Sequence, residues 1–200
     1  MRNDTPTGGQ PRILEIYGSP ATAWAARLLA DHGADVIKVE APSGDPTRHR
    51  GPFQGKSDDP EKSALFHALN PNKRSICLDW TDPQLDELLD WAEILIVGLP
   101  PTGMELQSVS SEMSPKLQRL SEEGLVTLSI TPFGLEGPYR DYAATELTHA
   151  CAGGWAALTP GTDSDPGKPP LKVFGHQCEL MAGISGAMVA LATWRDARRS

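Results

Sequence analysis

The chain has 200 residues, enough for one domain or a large part of one, and 39% of them are hydrophobic, enough for a core. Its net charge of −8 argues against a general nucleic-acid binder, which carries a basic excess. Cys77, Cys151 and Cys178 have no CxxC spacing, so neither a zinc site nor a disulfide framework follows, and a reducing, cytoplasmic setting is expected.

Residues 1–11 (MRNDTPTGGQP) read as a disordered leader with no apolar segment of the signal-peptide kind. Arg12–Ile16 (RILEI) is a short strand with apolar residues in alternation, and Tyr17–Ala21 is a turn. Ala21–Asp31 is rich in alanine and leucine and helical, with Gly33 placed to end it. Asp35–Val39 is a second strand. Ala41–Ser63 is a loop rich in Gly, Pro and Asp, long enough to be functional or mobile. Ala64–Leu69 makes a helical turn and Ser75–Leu78 a further buried strand.

Asp82–Ala92 reads as a helix with Asp82 as N-cap, Pro83 at the first position, and Leu85, Leu88, Leu89 and Ala92 on one face. Ile94–Val97 (ILIV) is a continuous apolar run, as in a buried parallel strand. Helix over Ser114–Glu122, strand over Leu125–Ile130, a turn-rich loop over Thr131–Asp141 and helix over Ala144–Ala152 follow. A polar loop, Thr159–Pro170, leads to a long helix over about Gln177–Arg195. Alternating strands and helices predict a Rossmann-like α/β fold: an open, mainly parallel sheet flanked by helices, with ligands bound at the carboxyl ends of the strands. No apolar run approaches ~18 residues, so no membrane span is expected. The chain has no GxGxxG and no P-loop, so the pattern does not imply NAD or ATP.

Six segments in order, LLADHGADVIKVEAPSGDPTR, ALNPNKRSICLD, AEILIVGLPP, SITPFGLEGPYRD, HACAGGW and MAGISGAMVALATW, make the chain resemble the family III CoA-transferases, the CaiB–BaiF family. The resemblance implies a Rossmann-like large domain, a small domain, and two subunits interlocked like rings of a chain. Members run to about twice this length. Residues 12–200 therefore read as a partial large domain, without the small domain and the C-terminal return. The chain is then a fragment, a split gene product, or the first half of a fused tandem protein. A homodimer, or association with a missing C-terminal half, is expected.

The resemblance also implies a reaction between an acyl-CoA and a carboxylic acid, with CoA as substrate, no permanently bound cofactor, no metal and no nucleic acid or membrane partner. The family aspartate becomes an acyl anhydride and then a CoA thioester, which splits one difficult exchange into easier steps. Glu179, in Glu179-Leu180-Met181-Ala182-Gly183, holds the place of that aspartate. The family's CoA-lining positions fall on Ser19, Pro20, Ala41, Lys73, Arg74, Leu78, Gly98, Leu99 and Thr131. Lys73 and Arg74 match the family's NKRS and would attract CoA phosphates; structural ion pairs at the sheet edge are the other reading of the same two residues. Ala41 follows IKVE where other members carry arginine or proline, and the arginine of the common N-F-R-P-G element is absent. The alternative to a transferase is a catalytically degenerate half that supports an active partner domain. An acyl-CoA racemase is a third reading, disfavoured by Thr145-Glu146 where racemases of the family have a His-Asp pair; His149 and His176 are the nearby histidines.

Overall fold

A computed structural model describes residues 9–55, 58–79, 82–98, 119–159, 167, 169 and 171–199. Most of the expected leader, of the helix over Ser114–Glu122 and of the loop over Thr159–Pro170 lies outside these residues. Five strands, β1 (Arg12–Ile16), β2 (Asp35–Glu40), β3 (Arg74–Cys77), β4 (Ile94–Val97) and β5 (Val126–Ser129), form one sheet in the order β3-β2-β1-β4-β5. All four pairings are parallel. The chain runs outward from β1 to β3 on one side and then returns to place β4 against the other side of β1. The carboxyl ends of β1 and β4 therefore flank the topological switch point, where open α/β sheets leave a crevice.

Helices cover both faces. Helix α1 (Pro20–Asp31) lies on one face with the last helix of the chain, and α2 (Ala64–Leu69) packs beside α1. On the other face lie α3 (Gln84–Trp91) and a helical segment at residues 119–122. After β5 come α4 (Glu146–Ala152), α5 (Trp155–Leu158) and the long α6 (Gln177–Ala197). Ile13, Val36, Ile94 and Ile96 meet Ala25, Ala26 and Leu29 of α1 and Ala187, Ala190 and Trp194 of α6. Leu14, Ile16, Val39 and Leu95 point the other way, onto Leu85 and Leu89 of α3 and onto Leu120. Period-two alternation thus feeds two apolar layers rather than one core and one wet face.

The helix ends follow their sequences. Ser19 caps α1: its Oγ accepts from the Thr22 N–H at 3.2 Å while Thr22 Oγ1 accepts from the Ser19 N–H at 2.8 Å. Beyond the other end Gly33 takes a φ of 94°, the left-handed geometry expected after a helix. Two expectations need correction. The third strand is not buried: it is the sheet edge, and Arg74, Ser75 and Cys77 are exposed. Helix α3 begins at Gln84 with Pro83 as N-cap, and Asp82 acts one residue earlier by accepting from the Gln84 N–H at 2.9 Å.

A buried charge network ties the first three strands together. Lys38 Nζ lies 2.7 Å from Glu15 Oε1 and 2.6 Å from Asp45 Oδ2, and Lys73 Nζ lies 2.8 Å from Glu15 Oε2. All four side chains are at most 2% exposed. Burial alone would raise the Glu15 carboxyl, but Lys38 and Lys73 outweigh it and hold it below its usual range. Asp45 is lowered in the same way, against burial, by Lys38 and Thr47, and Glu40, also against burial, by Arg48 and Ser75.

Removing Lys38 leaves Glu15 and Asp45 buried without their shared cation. Lys38→Met is expected to cost about 3–5 kcal/mol, read as a drop in the urea midpoint. A drop under about 1 kcal/mol would show that the network is not what holds the β2 loop. Because the three carboxyls are lowered on folding, they stabilise the fold above their unfolded pKa of about 4, and that contribution is lost as pH falls through the lower folded values. Denaturation midpoints measured from about pH 6 to about pH 2 are expected to fall below about pH 4, and Asp45→Asn is expected to flatten that fall.

Candidate active site

A cleft of about 480 Å³ opens at the carboxyl ends of the strands. One wall is the turn after β1, Gly18 to Ala21. The second is Pro46, Thr47 and Arg50 of the loop after β2, and the third is Ile130, Thr131 and Pro132 after β5. Cys178, Glu179 and Ala182 of α6 and His149 of α4 complete it. Its size suits a small organic substrate.

Each wall has a local cause. The β1 turn starts α1, whose capping box holds Ser19 and Pro20 at the rim. The β2 loop is held from below: Asp45 accepts from the Thr47 N–H at 2.7 Å, and Arg48 pairs with Glu40 at 2.6 Å and lies over the Phe66 ring. Thr131 Oγ1 accepts from the Gly134 N–H at 2.8 Å and closes the turn after β5. Helix α6 reaches the cleft because it packs very closely on α1. A Cβ on Gly183 would stand 2.6 Å from the Ala21 carbonyl oxygen, so only glycine allows this approach.

Glu179 sits in the first turn of α6 with its side chain 22% exposed. Its Oε2 is hydrogen-bonded to His176 Nδ1 at 2.6 Å. Glu146, from the first turn of α4, caps the same helix: its Oε1 accepts from the Cys178 N–H at 2.6 Å and its Oε2 from the Glu179 N–H at 3.4 Å. Burial, with Glu146 alongside, pushes the Cys178 thiol up, away from the reactive thiolate.

Of the residues that the sequence singles out, Ser19, Pro20, Thr131 and Glu179 share the cleft. The others stand elsewhere, apart from Leu99, which lies outside the described residues. Ala41 opens the turn below the β2 loop, its carbonyl accepting from the Gly44 N–H. Lys73 directs its ammonium inward, to Glu15, the Ala23 carbonyl and Asn70, each at 2.8 Å. Burial pulls its pKa down to about 8, although Glu15 favours the charged form; Lys38 adds repulsion. Arg74 holds Asp35 at 2.6 Å on the exposed edge and lies over Trp91. Leu78 is core. Gly98 is also packed inside, where a Cβ would stand 2.2 Å from the Tyr17 carbonyl oxygen. Arg50 is a charged cleft residue outside the six segments; its signal is its place in the long loop after β2.

Loss of the Glu146 cap is expected to loosen the first turn of α6. Glu146→Ala is expected to cost about 1 kcal/mol and to speed hydrogen exchange at the Cys178 and Glu179 amides. Unchanged exchange there would mean that the turn is held by other contacts.

The model of CoA-transferase family III matches residues 10–200. The chain is 34% identical over 212 residues to a succinate–glutarate CoA-transferase of Agrobacterium fabrum, with 100% of this chain and 50% of that protein covered. It is 31% identical over 208 residues to a cinnamoyl-CoA:phenyllactate CoA-transferase of Clostridium sporogenes, with 96% and 48% covered. It superposes on the crystal structure of a CaiB/BaiF family protein from Brucella suis with a TM-score of 0.78 at 27% identity, over 94% of this chain and 49% of that one. The chain spans about half the length of the curated relatives it matches. A parallel sheet with a crevice at its switch point, and a match along nearly its whole length, show that this chain belongs to CoA-transferase family III.

Proposed function

We propose that this chain carries the nucleophile of a CoA-transferase that moves CoA from an acyl-CoA to a carboxylic acid, and that Glu179 is that nucleophile. The observation that carries the reading is the Glu179 carboxylate in the wall of the switch-point cleft, with one oxygen bonded to His176 and the other without a hydrogen-bond partner among the described residues.

In the proposed reaction the Glu179 carboxylate attacks the thioester carbonyl. The C–S bond breaks, CoA leaves as thiolate, and a mixed anhydride remains on Glu179. The thiolate then attacks the glutamyl carbonyl, releasing the first acid as carboxylate and leaving a glutamyl-CoA thioester. The second acid attacks this thioester, CoA leaves again, and the new anhydride is cleaved by the thiolate at the acyl carbonyl. The second acyl-CoA is released and the Glu179 carboxylate is restored. Every step exchanges one activated acyl group for another, so no external energy source enters.

The second reading, a structural half without chemistry, draws on Lys73 and Arg74. Both are bonded within the protein rather than turned to the cleft. One experiment separates the two readings. The protein is incubated with acyl-CoA and quenched with hydroxylamine or borohydride. Modification is expected at Glu179, and Glu179→Gln is expected to reduce CoA exchange on the order of 10³-fold or more. Exchange that survives Glu179→Gln, or label on another residue, would sink the nucleophile assignment.

A further inference from the structure

The contact between His176 and Glu179 is directed at one particular oxygen. His176 Nδ1 lies 2.6 Å from Glu179 Oε2, the length of a charge-assisted bond. An ionised carboxylate has no hydrogen to give, so Nδ1–H is the donor. The backbone that carries this donor is held on both sides. Lys172 Nζ donates to the Val173 carbonyl at 3.0 Å and to the Gly175 carbonyl at 2.9 Å, and the His176 carbonyl accepts from the Leu180 N–H at 2.8 Å. The hydroxyls that line the cleft are committed elsewhere: Ser19 to Thr22, Thr47 to Asp45 and Thr131 to Gly134. Glu146 is spent on the Cys178 and Glu179 amides.

We infer that His176 is a catalytic residue: its Nδ1–H stabilises the negative charge that gathers on Oε2 whenever the glutamyl carbonyl is attacked. The inference rests on the assignment of Glu179 as nucleophile. Oε1 attacks the thioester and becomes the bridging oxygen of the anhydride, which leaves Oε2 as the glutamyl carbonyl oxygen. CoA thiolate then adds to the glutamyl carbon. The C–S bond forms and the carbonyl electron pair moves onto Oε2, where the donor already stands. When the pair returns, the bond from that carbon to Oε1 breaks and the first acid leaves as carboxylate. The second acid adds to the glutamyl-CoA thioester in the same way, charge gathers on Oε2 again, and CoA thiolate leaves. In the first and last steps the charge gathers instead on the carbonyl oxygen of the substrate. In the first, Oε2 also loses carboxylate charge, so a donor to it gives that step no help. The donor therefore acts on the middle steps of the exchange.

His176 makes no side-chain cap bond to α6, so replacing it removes the Oε2 contact without uncapping the helix. The full chain is mixed with acyl-CoA and followed in separate runs. Free CoA thiol, caught by a thiol reagent, reports the first step. The CoA adduct on Glu179, read by mass after acid quench, reports the second. In His176→Ala, thiol release is expected to stay near the rate of the unsubstituted chain, while adduct formation slows on the order of 10²-fold. His176→Asn, whose amide N–H replaces Nδ1–H, is expected to restore most of that loss. Equal slowing of both signals overturns the inference, because a contact that only positions Glu179 acts on the first attack as well. Adduct formation at the unsubstituted rate in His176→Ala also overturns it. Both of these results leave the adduct on Glu179, so the nucleophile assignment stands. Absence of the adduct in the unsubstituted chain removes the nucleophile and the inference together.

Discussion

Two cations and two carboxylates, buried almost completely between β1, β2 and the segments that flank them, set the position of two walls of the cleft, the turn after β1 and the loop after β2. Glu15 comes from β1, Lys38 from β2, Asp45 from the loop after β2, and Lys73 from the lead-in to β3. Such a cluster costs desolvation, and apolar residues of similar volume often serve stability as well. What a purely apolar contact lacks is direction. Lys38 Nζ must sit between two carboxylates, so the β2 loop has one register relative to the sheet. The same cluster reaches the first wall as well. A Cβ on Gly18 would stand 1.8 Å from Asp45 Oδ2, so the turn after β1 and the loop after β2 are fitted to each other at van der Waals limits.

The third constraint is steric. Helix α6 follows the sheet in sequence by almost fifty residues, yet it must present its first turn at the β1 end of the cleft. Small residues make this possible. Gly183 meets the Ala21 backbone, Gly186 meets Ile130 and Leu128, and the alanines of α1 leave room between them. The first turn is then held from a different direction by Glu146 of α4. Close packing sets where the helix lies, and a capping carboxylate sets how its first residues point. Together they bring Glu179 into the lining of the cleft that the β2 loop also lines.

The sequence revealed the scaffold better than the chemistry within it. Ile94–Val97, a run of four apolar residues, and the alanine-rich α1 declare themselves because burial and helix propensity act locally. Glu15 and Lys38 do not. Within RILEI and DVIKV a charged residue amid the alternation reads as part of a solvated face, whereas this sheet is covered on both faces and the two charges are buried against each other. Lys73 and Arg74 are legible as cations, but their ion pairs are not, since their partners Glu15 and Asp35 are 58 and 39 residues away in the chain. The edge position of β3 was also hidden, because strand order belongs to the whole sheet. Glu179 was found through the resemblance, by register with a known motif. Arg50, in a loop without periodicity, becomes visible only once three loops converge.

Glutamate where the family resemblance places an aspartate has a physical consequence for the proposed nucleophile. The added methylene lengthens the reach by about one bond and adds a rotatable torsion; a misplacement near ~1 Å costs on the order of 10²-fold in rate. The structure supplies a partner that removes this freedom. His176, three residues earlier at the N-cap of α6, takes Oε2 at 2.6 Å and so holds the carboxylate back against its own helix. The hydrogen bond leaves Oε1 without a hydrogen-bond partner among the described residues. The charge of neighbouring Glu146 is taken up by the Cys178 and Glu179 amides of the same turn. In this arrangement the longer side chain is folded back by its neighbour, so the reach of the carboxylate is set by the His176 contact as well as by its length.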